Sequence, residues 1–335
     1  MSVFSIHNSG FFYCCSVKLN DLVQYINSNS KIPNYVDSSA QFNWYKKHDN
    51  GYDITYEYFE HYDNIKDITI NYPINYYHEH QYLNYSNLDY NNIIPIVKKY
   101  FSPSKNIINI VQSIENKYNL VYDNTCVLFY RGNDKNRETY ICEYSDYTEY
   151  ANMILKENPN ILFLIQSDET NFIEFMSKKF PNNSFYFKDE IRHMQKCDNT
   201  VDIVMKDNNY NFSKYYLAIT IIMSKCKYII CGSGKCSIWI MLYRQNNNNV
   251  YQNLNGKWII NIKHSANDWV FIANENETMS NFPLGAHIRY GVEGIGWIEN
   301  INEYKYFEVS NIHFKNDPAP FVKKILQLCI KCTKC

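Results

Sequence analysis

Uninterrupted apolar runs alternate with amphipathic stretches through the middle of the chain. Val127-Leu128-Phe129-Tyr130, Ile161-Leu162-Phe163-Leu164-Ile165 and Tyr228-Ile229-Ile230-Cys231 have the length and composition of strands buried on both faces. Residues 184–187 predict one more strand. Residues 147–155, 169–180 and 212–223 carry apolar positions at helical spacing, the second stretch stopped by Pro181. Gly232-Ser233-Gly234 turns the last run into a helix over 237–243. This alternation predicts a parallel sheet covered on both faces across residues 121–250. Ligands of such sheets bind beyond the carboxyl ends of the strands.

The flanks read differently. Residues 1–120 open with an apolar stretch at 3–6, the loop His7-Asn8-Ser9-Gly10, a helical pattern over 19–26 and an extended Tyr35-Val36-Asp37. Residues 63–92, rich in Tyr, Asn and His, predict loops and short helices; 93–100 and 107–118 predict helices. After the polar loop 245–249, short strand patterns fall at 258–263, 269–273, 287–290, 294–299 and 306–309, followed by a helical pattern over 319–330. Three parts are therefore expected: an N-terminal α/β domain at 1–120, the sheet domain at 121–250, and a β-rich segment at 251–335 ending in a helix. No internal repeat is visible.

Composition narrows the class. At 335 residues the chain has room for two domains, and 45% hydrophobic with 20% charged residues is ordinary for a globular protein. The 32 tyrosines, with abundant Asn, Ile and Lys, read as the codon bias of an AT-rich genome. A net charge of −1 supplies no general field for nucleic acid or an anionic membrane. The opening residues lack the basic and apolar regions of a signal peptide. The longest apolar stretch, 217–231, is interrupted by Ser224-Lys225-Cys226-Lys227 and is too short to span a bilayer. A cytoplasmic protein with no membrane span and no nucleic-acid partner is expected, and its 11 cysteines read mostly as free thiols. Cys329, Cys332 and Cys335 cluster without an obvious fourth ligand, so no metal is expected there.

Three strand ends carry candidate chemistry. Arg131-Gly132-Asn133-Asp134-Lys135 follows the first strand, where an arginine fork and a lysine suit a diphosphate. An ordinary charged turn fits the same residues. Gln166-Ser167-Asp168-Glu169 follows the second strand and offers acceptors for hydroxyl groups, or simply a helix cap. Gly232-Ser233-Gly234-Lys235-Cys236-Ser237 leads into a helix N-terminus that suits phosphate, or is only a tight turn. It lacks the order and spacing of a P-loop. Convergence of the three on one sheet edge favours a ligand.

These segments resemble the donor domain of the fucosyltransferase superfamily, with the α1,6 branch nearest. That branch has a strand ending His-x-Arg-Arg-x-Asp-Lys, here Phe129-Tyr130-Arg131-Gly132-Asn133-Asp134-Lys135. It has a Tyr-Leu-Ala-Thr-Asp-Asp segment, a helix and Tyr-Pro, here Phe163-Leu164-Ile165-Gln166-Ser167-Asp168-Glu169, a helix and Phe180-Pro181. It then has Leu-Ser-x-Ala-Asp-Phe-Leu-Val-Cys before a serine turn. The counterpart is Met223-Ser224-Lys225-Cys226-Lys227-Tyr228-Ile229-Ile230-Cys231, then Ser233 and Cys236.

The resemblance covers about 130 residues. It implies a GT-B-like α/β fold, with two Rossmann-like domains facing a cleft and a β-rich C-terminal segment appended. It implies inverting, metal-independent transfer of a sugar to a glycan or glycoprotein, with GDP-fucose as the first-choice donor and no further cofactor. Carried across, Arg131 neutralises the leaving diphosphate, Asp134 orients the arginine and Lys135 lies near the reacting centre. Glu138 lies one residue from the position of the general base. Gly10, Tyr150, Asp168, Glu169, Ser233 and Gly234 fall at donor-binding positions. Three residues depart from the pattern. Phe129 replaces the histidine, Gly132 the second arginine, and Ile219 an aspartate that helps read guanine. Either guanine is read by other groups or the nucleotide is not GDP. A transferase using another nucleotide sugar and a non-catalytic binding protein are the alternatives.

Overall fold

The computed structural model describes residues 2–47, 51–261 and 268–329. It divides into two compact units, Met1–Asn261 and Ile262–Cys335. The first unit begins with β1 (Ser2–Phe4), α1 (Phe11–Asn29) and β2 (Tyr35–Asp37), the two strands pairing in parallel. A helical turn α2 (Thr55–Tyr58) and the helices α3 (Tyr90–Tyr100) and α4 (Lys105–Tyr118) follow. Among the described residues of this block the sheet stops at two strands of 3 residues each. The first of the two expected Rossmann-like sheets is thus reduced to one pair. The Tyr- and Asn-rich stretch after β2 has no apolar run long enough to add a strand and folds into short 3₁₀ turns instead.

The apolar runs build the main sheet as expected. In chain order come β3 (Thr125–Tyr130), α5 (Tyr144–Glu157), β4 (Leu162–Ser167), α6 (Thr170–Lys179) and β5 (Ser184–Phe185). The helical turn α7 (Val201–Val204), α8 (Asn209–Lys225), β6 (Tyr228–Gly232), α9 (Lys235–Arg244), β7 (Val250–Leu254) and β8 (Lys257–Asn261) follow. The sheet order is β5-β4-β3-β6-β7-β8, parallel except for the antiparallel edge strand β8. The sequence pattern does not predict β7. Val250-Tyr251-Gln252-Asn253 is half polar, yet all four residues are buried because β6 and β8 flank them. No helix among the described residues is long and apolar enough to cross a membrane.

The N-terminal block and the sheet share one core. Helix α1 starts at Phe11, well before the predicted 19–26, because Phe11, Phe12, Cys14 and Cys15 are buried. Burial of that aromatic start outweighs its modest helix propensity. Trp239 on α9 is fully buried, its ring centroid 4.7 Å from that of Phe101 and 6.1 Å from that of Phe12. Its indole N–H donates to Ser16 Oγ at 3.0 Å.

The second unit is β-rich. It contains β9 (Trp269–Asn274), β10 (Thr278–Ser280), β11 (His287–Val292), β12 (Gly296–Ile301), β13 (Tyr306–Glu308) and β14 (Ile325–Cys329). Four strands form an antiparallel sheet in the order β12-β11-β14-β9, and β10 pairs with β13. Its core gathers Phe282, Ile288, Tyr290, Phe307, Phe314 and Leu326. The expected final helix over 319–330 is corrected: 325–329 is the strand β14. It lies between β11 and β9, so a ladder on each edge overrides a weak helical pattern. Buried Cys329 ends this strand, whereas Cys332 and Cys335 of the tail cluster lie outside the described residues. Trp269 and Trp297 both meet Arg289. The Arg289 guanidinium sits 4.7 Å from one ring centroid and 4.0 Å from the other.

Trp239 joins the two halves of the first unit. Replacing it with alanine is expected to cost about 3–5 kcal/mol, the usual range for emptying a buried tryptophan site. Denaturant titration checks this: the midpoint should fall while the slope stays unchanged.

Candidate functional site

Strand order alone marks the place for a ligand. From β3 the chain moves outward through β4 and β5; from β6 it moves the other way through β7. The crevice beyond the carboxyl ends of β3 and β6 is therefore the switch point of the sheet. Arg131 follows β3 and Gly232 ends β6. A pocket of about 330 Å³ opens there. Its sheet side includes Arg131, Asp134, Lys135, Glu138 and residues 232–237. Its other side is Ser9, Gly10, Tyr13 and Trp44 of the N-terminal block.

Arg131 is held rather than free. Its Nε donates to Asp168 Oδ2 at 2.9 Å, and Gly132 N–H donates to Asp168 Oδ1 at 3.0 Å. Asp134 stands farther off, 3.6 Å from Nη2, and its Oδ1 has no hydrogen-bond partner. Asp168, more than Asp134, sets the orientation of the guanidinium. Burial opposes the charge on Arg131, but Asp168, then Tyr216 and Asp134, raise its pKa well above the ordinary arginine value. Glu169 does the same service for the loop backbone. It accepts from Asn133 N–H and Tyr144 OH, both at 2.5 Å, and is fully buried. A Cβ at Gly132 would collide with the Glu169 carboxylate, which would have to shift to admit a side chain. The paired acids thus bind the loop after β3, while the expected cap on their own helix is absent: α6 has no side-chain cap bond.

Cations line the pocket, each paired with a carboxylate. Lys135 pairs with Glu138, and its aliphatic end passes Gly234, where a Cβ would lie 3.5 Å from Lys135 Cε. Lys235, in the first turn of α9, faces Glu79 at 3.3 Å and sits over the Tyr13 ring at 4.3 Å. Burial pulls Lys235 down to about 8, against the opposing pull of Glu79, while Lys135 pushes the same way as burial. Burial and the hydrogen bond to Glu79 push the Tyr13 hydroxyl up to about 12. The N-termini of α1, at Gly10, and of α9, at Gly234, both border the pocket and add partial positive charge. One arginine, two lysines and two helix N-termini can meet an anion there, alongside the lining carboxylates Asp134, Glu138 and Asp202.

The predicted residues divide plainly. Gly10, Arg131, Asp134, Lys135, Glu138, Ser233 and Gly234 all border this pocket. The Ser233 hydroxyl is engaged with β7, donating to Asn253 O at 2.8 Å and accepting from Gln252 Nε2 at 2.8 Å. Asp168 lies behind Arg131, and Glu169 lies beneath the loop. Tyr150 is elsewhere, packed on Tyr251 and Trp258 with ring centroids at 5.5 and 4.6 Å. Tyr147, one turn earlier, borders the pocket instead. Sequence reasoning missed Lys235, Tyr13 and Trp44 as site residues. Lys235 stood inside a quoted motif; nothing local marked Tyr13 or Trp44, which are brought in by packing between the two halves. Phe129 and Ile219, the two departures from the guanine-reading pattern, both border a second, smaller cavity beside Arg131.

No protein-family model matches the chain, and no curated protein matches it. Among solved structures, it is similar to NodZ alpha-1,6-fucosyltransferase soaked with GDP-fucose, at 10% identity and a TM-score of 0.47 over 78% of this chain and 99% of that one. It is also similar to NodZ co-crystallized with GDP, at 11% identity and a TM-score of 0.48 over 78% and 98%. The fucosyltransferase NodZ from Bradyrhizobium gives 10% identity and a TM-score of 0.47 over the same 78% and 98%. Likeness this distant leaves the functional reading to the side chains themselves.

Two outcomes are expected from this geometry. Gly132→Ala should lose about 1–3 kcal/mol, because the Glu169 carboxylate must move to admit a methyl group; chemical denaturation measures it. Lys235 is charged below about 8 and neutral above. Its folded pKa lies below the free value of 10.5, so its burial penalty is full below about 8 and relieved as pH rises toward 10.5. Anion affinity should run the other way. Sulfate, a dianion throughout, should bind about tenfold more weakly at pH 9 than at pH 7. Lys235→Arg, which stays charged, should remove that dependence.

Proposed function

We propose that the protein is an inverting, metal-independent glycosyltransferase that takes a nucleotide-sugar donor. One observation supports this reading above the others. The loops after β3 and β6, with the start of α1, converge on one pocket carrying Arg131, Lys135 and Lys235. A donor diphosphate would lie between Arg131 and the turn 232–235. These cations and helix N-termini supply the charge that a divalent ion supplies elsewhere. The unit Met1–Asn261 then acts in a GT-B-like manner, the sheet side holding the donor and the N-terminal side receiving the acceptor.

The chemistry follows from the placement. An acceptor hydroxyl attacks the anomeric carbon as the bond to the phosphate oxygen breaks. Negative charge grows on the leaving diphosphate, where Arg131 is already oriented by Asp168. Preorganised charge of this kind acts mainly on the transition state. Glu138, on the pocket wall and 42% exposed at its side chain, takes the acceptor proton. Trp44 and Tyr140, exposed residues at the same pocket, offer faces for a glycan acceptor. GDP-fucose is the first donor to test, because the strand-end motif resembles that of enzymes using it.

A second reading, binding without transfer, draws on one observation: Glu138 is already paired with Lys135. Hydrolysis of the sugar nucleotide without acceptor separates the two readings. Transfer or slow hydrolysis should fall about 10²- to 10³-fold in Arg131→Ala, the usual loss for one stabilising donor. Turnover at the wild-type rate in that variant would overturn the role given to Arg131.

A further inference from the structure

The loop that carries Asp134, Lys135 and Glu138 has little of its own to hold it. Residues 134–138, Asp-Lys-Asn-Arg-Glu, contain no apolar side chain, so hydrophobic burial cannot fix them. The internal bonds make a single turn. Lys135 N–H donates to Gly132 O, and the N–H groups of Glu138 and Thr139 donate to Lys135 O. The loop is therefore placed from its two ends. At the front, Asn133 is 2% exposed, with a φ of +42°. Its side chain donates to Asp168 O at 3.0 Å and accepts from Cys197 N–H at 2.9 Å, which builds this end into the sheet.

The rear end rests on the hairpin of β7 and β8. Thr139 Oγ1 donates to Asn255 Oδ1 at 3.0 Å. The Tyr140 ring lies against Gly256, where a Cβ would meet ring carbons at 3.1 and 3.2 Å. Asn255 and Gly256 close the hairpin between the paired residues Leu254 and Lys257, with φ of +52° and +80°. Asn-Gly is the pair that such a two-residue turn favours. The same hairpin grips the turn after β6. Asn253 O accepts from Ser233 N–H at 2.9 Å and from Ser233 Oγ at 2.8 Å, while Asn253 Oδ1 accepts from Gly256 N–H at 3.2 Å. One element thus sets the Glu138 loop against the turn 232–234. The rear contact itself lies at the surface, with Tyr140 61% exposed. Surface contacts of this kind add little to global stability, so its effect falls on geometry.

We propose that Asn255, at the tip of this hairpin, is a positioning residue for the transfer step: through Thr139 it holds the loop so that the Glu138 carboxylate meets the acceptor hydroxyl. Asn255 does not border the pocket and acts only through the loop. This rests on reading Glu138 as the group that takes the acceptor proton.

Hydrogen exchange followed by mass spectrometry on the full chain reads the brace itself. Asn255→Gly removes the bond to Thr139 and suits the left-handed backbone; Asn255→Asp keeps an acceptor oxygen. Amides of residues 135–140 should exchange about tenfold faster in Asn255→Gly than in the wild type or Asn255→Asp, with the denaturation midpoint unchanged. Hydrolysis of GDP-fucose, UDP-glucose and dTDP-glucose reads the consequence. For whichever donor the wild type turns over, kcat should fall about 10- to 100-fold in Asn255→Gly at unchanged KM, and recover in Asn255→Asp. Thr139→Val should match Asn255→Gly and add nothing to it in the double variant. Unchanged exchange over 135–140, an activity loss equal in both Asn255 variants, or a loss carried by KM overturns the proposal and leaves the transfer reading standing. A wild type that turns over none of the three donors overturns the transfer reading and the positioning role with it; the exchange data keep the two failures apart.

Discussion

The Asp168 carboxylate ties together the ends of two neighbouring strands, and the site depends on that tie. One oxygen takes the Arg131 side chain and the other takes the Gly132 backbone. Charge and loop path are thereby set by the same group. A carboxylate that accepts two such bonds is stable only because both partners are in place; either alone would leave a buried anion poorly matched. The guanidinium in turn stays charged while part-buried because Asp168 is its nearest anion. The arginine is thus fixed before any ligand arrives, and little reorganisation is left for the binding step.

The second constraint is that neither half of the first unit completes the pocket alone. The sheet side brings Arg131, Lys135 and Lys235; the N-terminal block brings Gly10, Tyr13 and Trp44. The contact that joins them is apolar and close-packed, with Trp239 against Phe12 and Phe101. Polar links then set register across it. Tyr85 accepts from Gly234 N–H at 3.2 Å, and Gln252 meets both Tyr85 N–H and Ser233. The turn at 232–234 is therefore gripped from both sides, with Ser233 N–H donating to Asn253 O and Gly234 N–H to Tyr85.

Much of the sheet was legible because its strands are buried on both faces. Such strands read as unbroken apolar runs, and Thr125–Tyr130 is buried at every position. The strand β7 was not legible, since Gln252 and Asn253 are polar and owe their burial to specific partners. The C-terminal helix failed for the same reason in reverse: 325–329 is a strand because of two neighbours distant in sequence. In the site, the residues delivered by strand ends were legible from position alone. Tyr13 and Trp44 were not, because packing between elements distant in sequence, α1 on α9 and residues 43–45 on α8, carries them to the pocket.

The departures from the resembled motif are two coupled sets rather than three separate losses. A side chain at Gly132 would displace Glu169, which occupies that space and holds the Asn133 backbone. Arginine at 132 and this position of Glu169 exclude one another. Lys235 reaches the same pocket from α9 and is paired there with Glu79. Phe129 and Ile219 form the other set, both lining one small cavity. Two apolar walls there leave recognition to whatever polar group remains between them. A buried polar atom without a partner is costly in such a setting. Gln166 Oε1, buried without a hydrogen-bond partner beside that cavity, is such an atom.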